Sequence, residues 1–96
     1  MITSKQRSYL RSLANTMDPI FQLGKGGIEE SFLKQIDDAL EARELIKVHV
    51  LNNSGLEPRE ASDYICRELG CEGIQTIGSK IVIYRRSEKK PKIELP

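Results

Sequence analysis

"FQLGKGGIEESFLKQIDDALEARELIKVHV", residues 21–50, decides the fold, because its apolar period changes twice. At its C-terminal end Ile46, Val48 and Val50 alternate with Lys47 and His49, the two-residue period of a strand with one face buried. In the middle, Ile28, Phe32, Ile36, Ala39 and Leu40 recur at helical spacing with Leu33 beside them, which predicts an amphipathic helix from Ile28 to about Arg43. Glu29 and Glu30 fall in its first turn, where carboxylates suit the helix dipole. The preceding "PIFQLG" reads as a short strand stopped by the glycines of Gly24-Lys25-Gly26-Gly27. Strand, helix and strand in succession imply a right-handed crossover with parallel pairing.

Upstream, Ile2, Tyr9, Leu10, Leu13 and Met17 share one arc of a helix over 3–15, with Arg7 and Arg11 on the other side. Thr3 or Ser4 can cap its start, and "NTMDP" breaks it ahead of Pro19. Downstream, "LNNSGLEP" is a loop, and Pro58 opens a third helix carrying Ala61, Tyr64, Ile65 and Leu69 that stops at Gly70. "GIQTIG" and "KIVIYRR" read as two strands joined at Gly78-Ser79, a hairpin expected to add an antiparallel edge. Ile81 and Ile83 oppose Val82 and Tyr84, so the last strand is apolar on both sides; the first helix is the natural extra cover. The expected architecture is a single compact α/β domain, order α-β-α-β-α-β-β, with a four-stranded mixed sheet packed by helices over residues 1–86. "SEKKPKIELP", 87–96, has lost all periodicity and is expected to be a flexible basic tail.

A chain of 96 residues with 39% hydrophobic and 30% charged residues fits one soluble domain with a single core. No apolar run approaches the roughly 20 residues that cross a bilayer, and the N-terminus lacks the apolar stretch of a secretory signal, so a cytoplasmic protein is expected. Cys66 and Cys71 form a C-x4-C pair with one distant histidine, a poor zinc site; no metal is expected. Net charge is only +1, but its distribution is uneven. Residues 1–25 hold four basic residues against one acid, 26–72 five against eleven, and 73–96 six against two. Basic ends around an acidic middle can build a one-sided positive surface.

A nucleotide P-loop needs a Lys followed by Ser or Thr after its last glycine, and a dinucleotide fingerprint needs glycine where Glu29 stands; both are absent. What remains is G-x-x-G between a strand and a helix. Backbone without Cβ atoms lets a ligand approach closely, the next helix offers free N–H groups, and Lys25 adds charge, the makings of an anion site. A plain turn is the competing reading of the same four residues. His49 is the sole histidine, on a strand's polar face with no nucleophile assigned to it, so no catalytic residues and no cofactor are expected. Asp37, Asp38, Glu41 and Glu44 read as a solvated helix face.

Taken together, "GKGGI" before an amphipathic helix, then "RELIKVHV", then "GIQTIGSKIVIYRR" resemble the CRM domain, the chloroplast RNA splicing and ribosome maturation family, in its bacterial stand-alone YhbY-type form. The resemblance covers residues 2 to about 86. It implies a domain similar to the C-terminal domain of translation initiation factor three, and RNA binding linked to precursors of the large ribosomal subunit. Carried onto this chain, Gly24, Lys25, Gly26 and Gly27 would contact RNA backbone. Arg7, Arg11, Lys80, Arg85 and Arg86 are expected to join them on one basic rim. The expectation is a non-enzymatic, monomeric RNA-binding assembly factor whose partner is ribosomal RNA, with no membrane or DNA partner. The alternative is a protein-interaction module of the translation machinery whose glycines only make a turn.

Overall fold

A computed structural model describes residues 2–96. Helix α1 spans Ser4–Ala14, strand β1 Phe21–Leu23, helix α2 Glu30–Arg43 and strand β2 Leu45–Val50. After a single 3₁₀ turn at Asn52–Ser54 come helix α3, Pro58–Leu69, and strands β3, Glu72–Ile77, and β4, Lys80–Tyr84. The α-β-α-β-α-β-β order read from the sequence is the one found. Local chemistry sets the boundaries. Thr3 caps α1 in a reciprocal box with Gln6, and Glu60 accepts from the Glu57 N–H at the start of α3. Gly70, left-handed at φ 65°, ends α3.

The strands lie in the order β1-β2-β4-β3. Phe21 and Leu23 pair parallel with Val48 and Val50, as the crossover predicts. The hairpin adds the antiparallel edge expected of it, through β3. β4 inserts between β2 and β3, antiparallel to both, and β3 becomes the edge. That placement explains the doubly apolar sequence of β4, because a central strand of a covered sheet meets a core on each side.

One core layer lies under α2 and α3, where Ile46, Val48, Ile81 and Ile83 meet Ile36, Leu40, Ala61 and Ile65. The other lies under α1, where Leu45, Val82, Tyr84 and Ile74 meet Leu10 and Ala14. Tyr9, expected on the buried arc of α1, is instead 38% exposed, whereas Ala14 is fully buried in this core. Cys66 and Cys71 are free thiols whose Sγ atoms lie 3.3 Å apart. The Cys66 contact and burial push the Cys71 thiol far up, and the same contact lowers that of Cys66.

The C-terminal segment departs most from its sequence reading. Where a free tail is expected, residues 87–95 form a strap fixed by two acids of the α2 terminus. The Glu44 carboxylate, fully buried, accepts from Ser87 N–H at 2.8 Å and from Lys92 and Ile93 N–H at 2.7 Å. Glu41 accepts from the Ser87 hydroxyl at 2.6 Å and from the Glu88 and Lys89 N–H groups. Ile93 and Leu95 then pack on the α1-side core. The physical reason is that backbone donors without a strand partner find carboxylates instead. Asp37 takes Arg85 at 2.6 Å, so of the four acids expected to be solvated, three hold other segments; Asp38 faces solvent beside Lys34.

Both strap acids are shifted toward ionisation. The Ser87 hydroxyl and two backbone N–H groups pull Glu41 down to about 2. Burial pushes Glu44 up, but three backbone donors and Arg86 outweigh it and leave it below the usual carboxylate range. A carboxylate depressed in the folded state contributes stability above its unfolded pKa of about 4.5, and that stability is lost as pH falls through the folded value. Acid titration is therefore expected to loosen the strap between about pH 4.5 and 2, before the sheet melts. Amide exchange at Ser87, Lys92 and Ile93 would show it; protection that holds to pH 2 would contradict it.

Candidate nucleic-acid interface

The Gly24–Gly27 loop leaves β1 at the end of the sheet where its C-terminus meets β2. Gly27 N–H donates to the Gly24 carbonyl at 3.0 Å, closing a four-residue turn with Lys25 and Gly26 at its exposed tip. Only Gly27 needs to be glycine for its backbone, at φ 68°, and a Cβ there would meet nothing within 4 Å. Gly24 backs onto the Leu51 and Asn53 side chains.

Glu29 occupies the N-cap of α2 but makes no side-chain bond to the first turn. Its carboxylate instead lies beside Gly26, where a Cβ would sit 3.2 Å from Oε1. The sequence marks Glu29 as dipole-favoured and as counting against phosphate at the loop, but it does not show this contact, because a rotamer choice leaves no periodic trace. The consequence is electrostatic: an anion approaching the tip meets Lys25 and a carboxylate together. Glu29→Gln is expected to raise affinity for any polyanion about threefold at low salt, measured by titration, with the gain vanishing toward 1 M salt. An unchanged affinity would mean Glu29 swings clear.

The expected single rim divides into two ends. Leu51 N–H bonds to the Leu23 carbonyl and Val50 N–H to that of Ser79, so the glycine loop, the β2 terminus and the Gly78-Ser79 turn share one end of the sheet. Lys80 begins β4 there, two strands or about 10 Å from β1, and joins Lys25. Arg85 and Arg86 follow Tyr84 at the other end, about 17 Å along the strand from Lys80. Arg85 is held inward by Asp37 and by the carbonyls of Leu69 and Asp37. Arg86 is exposed. Arg7 bonds to the Gly73 carbonyl and faces Glu72 at 3.8 Å, and Arg11 is half-buried on α1. The structure thus gathers Gly24, Lys25, Gly26, Gly27 and Lys80 at the loop end. It sets Arg85 and Arg86 at the far end and engages Arg7 and Arg85 in internal contacts, because Glu72 and Asp37 lie within reach of their side chains.

The chain is thus a small α/β domain, a mixed four-stranded sheet with three helices packed on it and a strand-to-helix glycine turn that carries Lys25 at its exposed tip. The CRS1 / YhbY (CRM) domain model matches residues 2–85, and the chain belongs to that family. It is 46% identical over the full length of both chains to the "Probable RNA-binding protein YqeI" of Bacillus subtilis. It is 38% identical to a protein of Haemophilus influenzae named "RNA-binding protein", covering 99% of this chain and 95% of the other. The solution structure of a hypothetical protein of Staphylococcus aureus superposes with a TM-score of 0.79 at 52% identity, covering all of both chains.

Proposed function

We propose that this protein binds RNA through the glycine loop and neighbouring lysines, and acts without catalysis in maturation of the large ribosomal subunit. The observation that carries the reading is the tip of the loop. Lys25 and Gly26 are exposed beside the Glu29 side chain, just before the start of α2, whose first turn has no side-chain cap, with Lys80 at the same end. RNA-binding names among relatives that span the whole chain support the ligand class. Contacts of this kind grip phosphates and read shape more than sequence. The ribosomal assignment follows the resemblance to the stand-alone YhbY type, and cytoplasmic location and a monomeric state go with it.

The test is fluorescence-anisotropy titration of large-subunit precursor RNA fragments across a salt series, comparing the wild type with a Lys25→Asp, Gly26→Asp double variant. Loss of binding in a variant that melts normally is the expected result. Equal binding by both proteins would hand the glycines back to a simple turn and favour the protein-interaction alternative.

A further inference from the structure

The α1-side face of the sheet is covered over only half its length. Helix α1 and the Ile93–Leu95 end of the strap lie over Leu45, Val82, Tyr84 and Ile74. Beyond them, toward the glycine loop, one rung of side chains crosses all four strands in the open: Gln22, His49, Lys80 and Ile77. Gln22 and Lys80 are exposed, His49 is half-buried, and Ile77, at 57%, is the most exposed large apolar side chain among the described residues. The adjacent rung adds Lys47 and Gln75 on either side of Val82, and Ile20 stands at the β1 corner, 37% exposed.

No carboxylate belongs to either rung. The acids nearest along these elements are Glu72, at the α1-covered end against Arg7, and Asp18, in the turn before β1. His49 and Lys80 are direct cross-strand partners, which sets a flat imidazole ring beside an ammonium group with the Cβ atoms about 5 Å apart. The two isoleucines stand at opposite corners rather than forming one apolar patch, which disfavours a protein partner, whose docking site has an apolar centre. Aromatic and apolar side chains beside lysines on an open sheet instead match nucleotides whose bases are free to lie flat.

We infer that this uncovered half-face is a second RNA contact, taking a single-stranded segment that continues from the backbone gripped by the glycine loop. Lys47 and Lys80 meet phosphates, His49 and Ile77 carry bases, and Gln22 and Gln75 offer hydrogen bonds to base edges. The inference rests on the RNA-binding reading above, and the two separate experimentally.

A His49→Ala, Ile77→Ala variant leaves the glycine loop and its lysines intact. Its affinity for a short single-stranded oligoribonucleotide is expected to fall about tenfold, with affinity for a blunt RNA duplex unchanged. Photocrosslinking of the wild type to a 4-thiouridine oligoribonucleotide, read by peptide mass, is expected to label the peptide containing His49 whether or not the variant folds. Unchanged binding to both RNAs, equal loss on both, or crosslinks confined to residues 24–27 would each overturn the half-face contact while leaving the loop reading in place. Absence of RNA binding by the wild type would remove both.

Discussion

Replacing Lys25 and Gly26 together by aspartate lowers affinity for structured RNA by about two orders of magnitude at ~0.1 M salt and moves the melting temperature by less than ~2 °C. The substitution changes the loop charge by −3, since a lysine becomes an acid and a neutral residue gains one. Each phosphate contact is worth a log–log salt slope of about 0.9, or roughly eightfold at that concentration, so losing the Lys25 contact and setting two new carboxylates against the remaining phosphates reaches the stated loss. The plot should also flatten by about 1–2 units of slope.

Folding is expected to hold for structural reasons. The Gly27-to-Gly24 bond that closes the turn is untouched, Gly26 is not in the left-handed region, and a new Cβ there meets only the movable end of Glu29. The same change at Gly27, at φ 68°, would strain the turn. Affinity within about threefold of wild type would remove the loop from the binding surface.

Glu44→Ala is expected to destabilise the protein by about 3 kcal/mol, more than the loss of any exposed ion pair in the chain. Three N–H groups, those of Ser87, Lys92 and Ile93, lose a charged acceptor at once. A hydrogen bond to a charged group contributes about 1.5–3 kcal/mol, but the Lys92 and Ile93 donors are only part-buried and regain water, which sets the estimate well below the full sum. For a domain of this size the melting temperature should fall about 12–24 °C.

Glu44 is also the one non-glycine residue with positive φ among the described residues, at 68°. Its backbone carbonyl accepts from Arg85 N–H at 2.9 Å while its side chain holds the strap. Glu44→Gly separates these roles: it relieves a backbone penalty of about 1–3 kcal/mol and still releases the strap, so it should melt above Glu44→Ala and below wild type. Differential scanning calorimetry of the three proteins decides it. A Glu44→Ala curve overlying wild type would mean that the strap contributes nothing to global stability.

What the sequence made legible was whatever local chemistry repeats. The alternation in Leu45–Val50 and the helix stop at Gly70 are written in adjacent residues, and the structure places both where the pattern predicts. The order of strands is not written there. β4 shows that it needs two covered faces but not which neighbours it separates, so the hairpin reads as bringing an antiparallel edge without showing that β3 is that edge and β4 is central. The strap was illegible for a related reason. Its donors are backbone groups with no side-chain signature, and their acceptor lies 43 to 49 residues earlier in the chain. Long-range pairing also misled the reading of the site: Arg85 looks free in sequence, but its partner Asp37 is 48 residues away. The glycine loop, in contrast, is contiguous, and its four residues were found together.

The central position of β4 bears on how the chain acquires its shape during synthesis. From Val50 to Tyr84 the ribosome must add 34 residues, which at about 5–20 residues per second takes about 2–7 s. Through that interval β1 and β2 can pair, but β2 and β3 have nothing between them, and the inward edge of β2 stays open. A nascent chain of this family therefore passes seconds with a bare strand edge, the kind of surface on which chaperones act and on which two nascent copies can join wrongly.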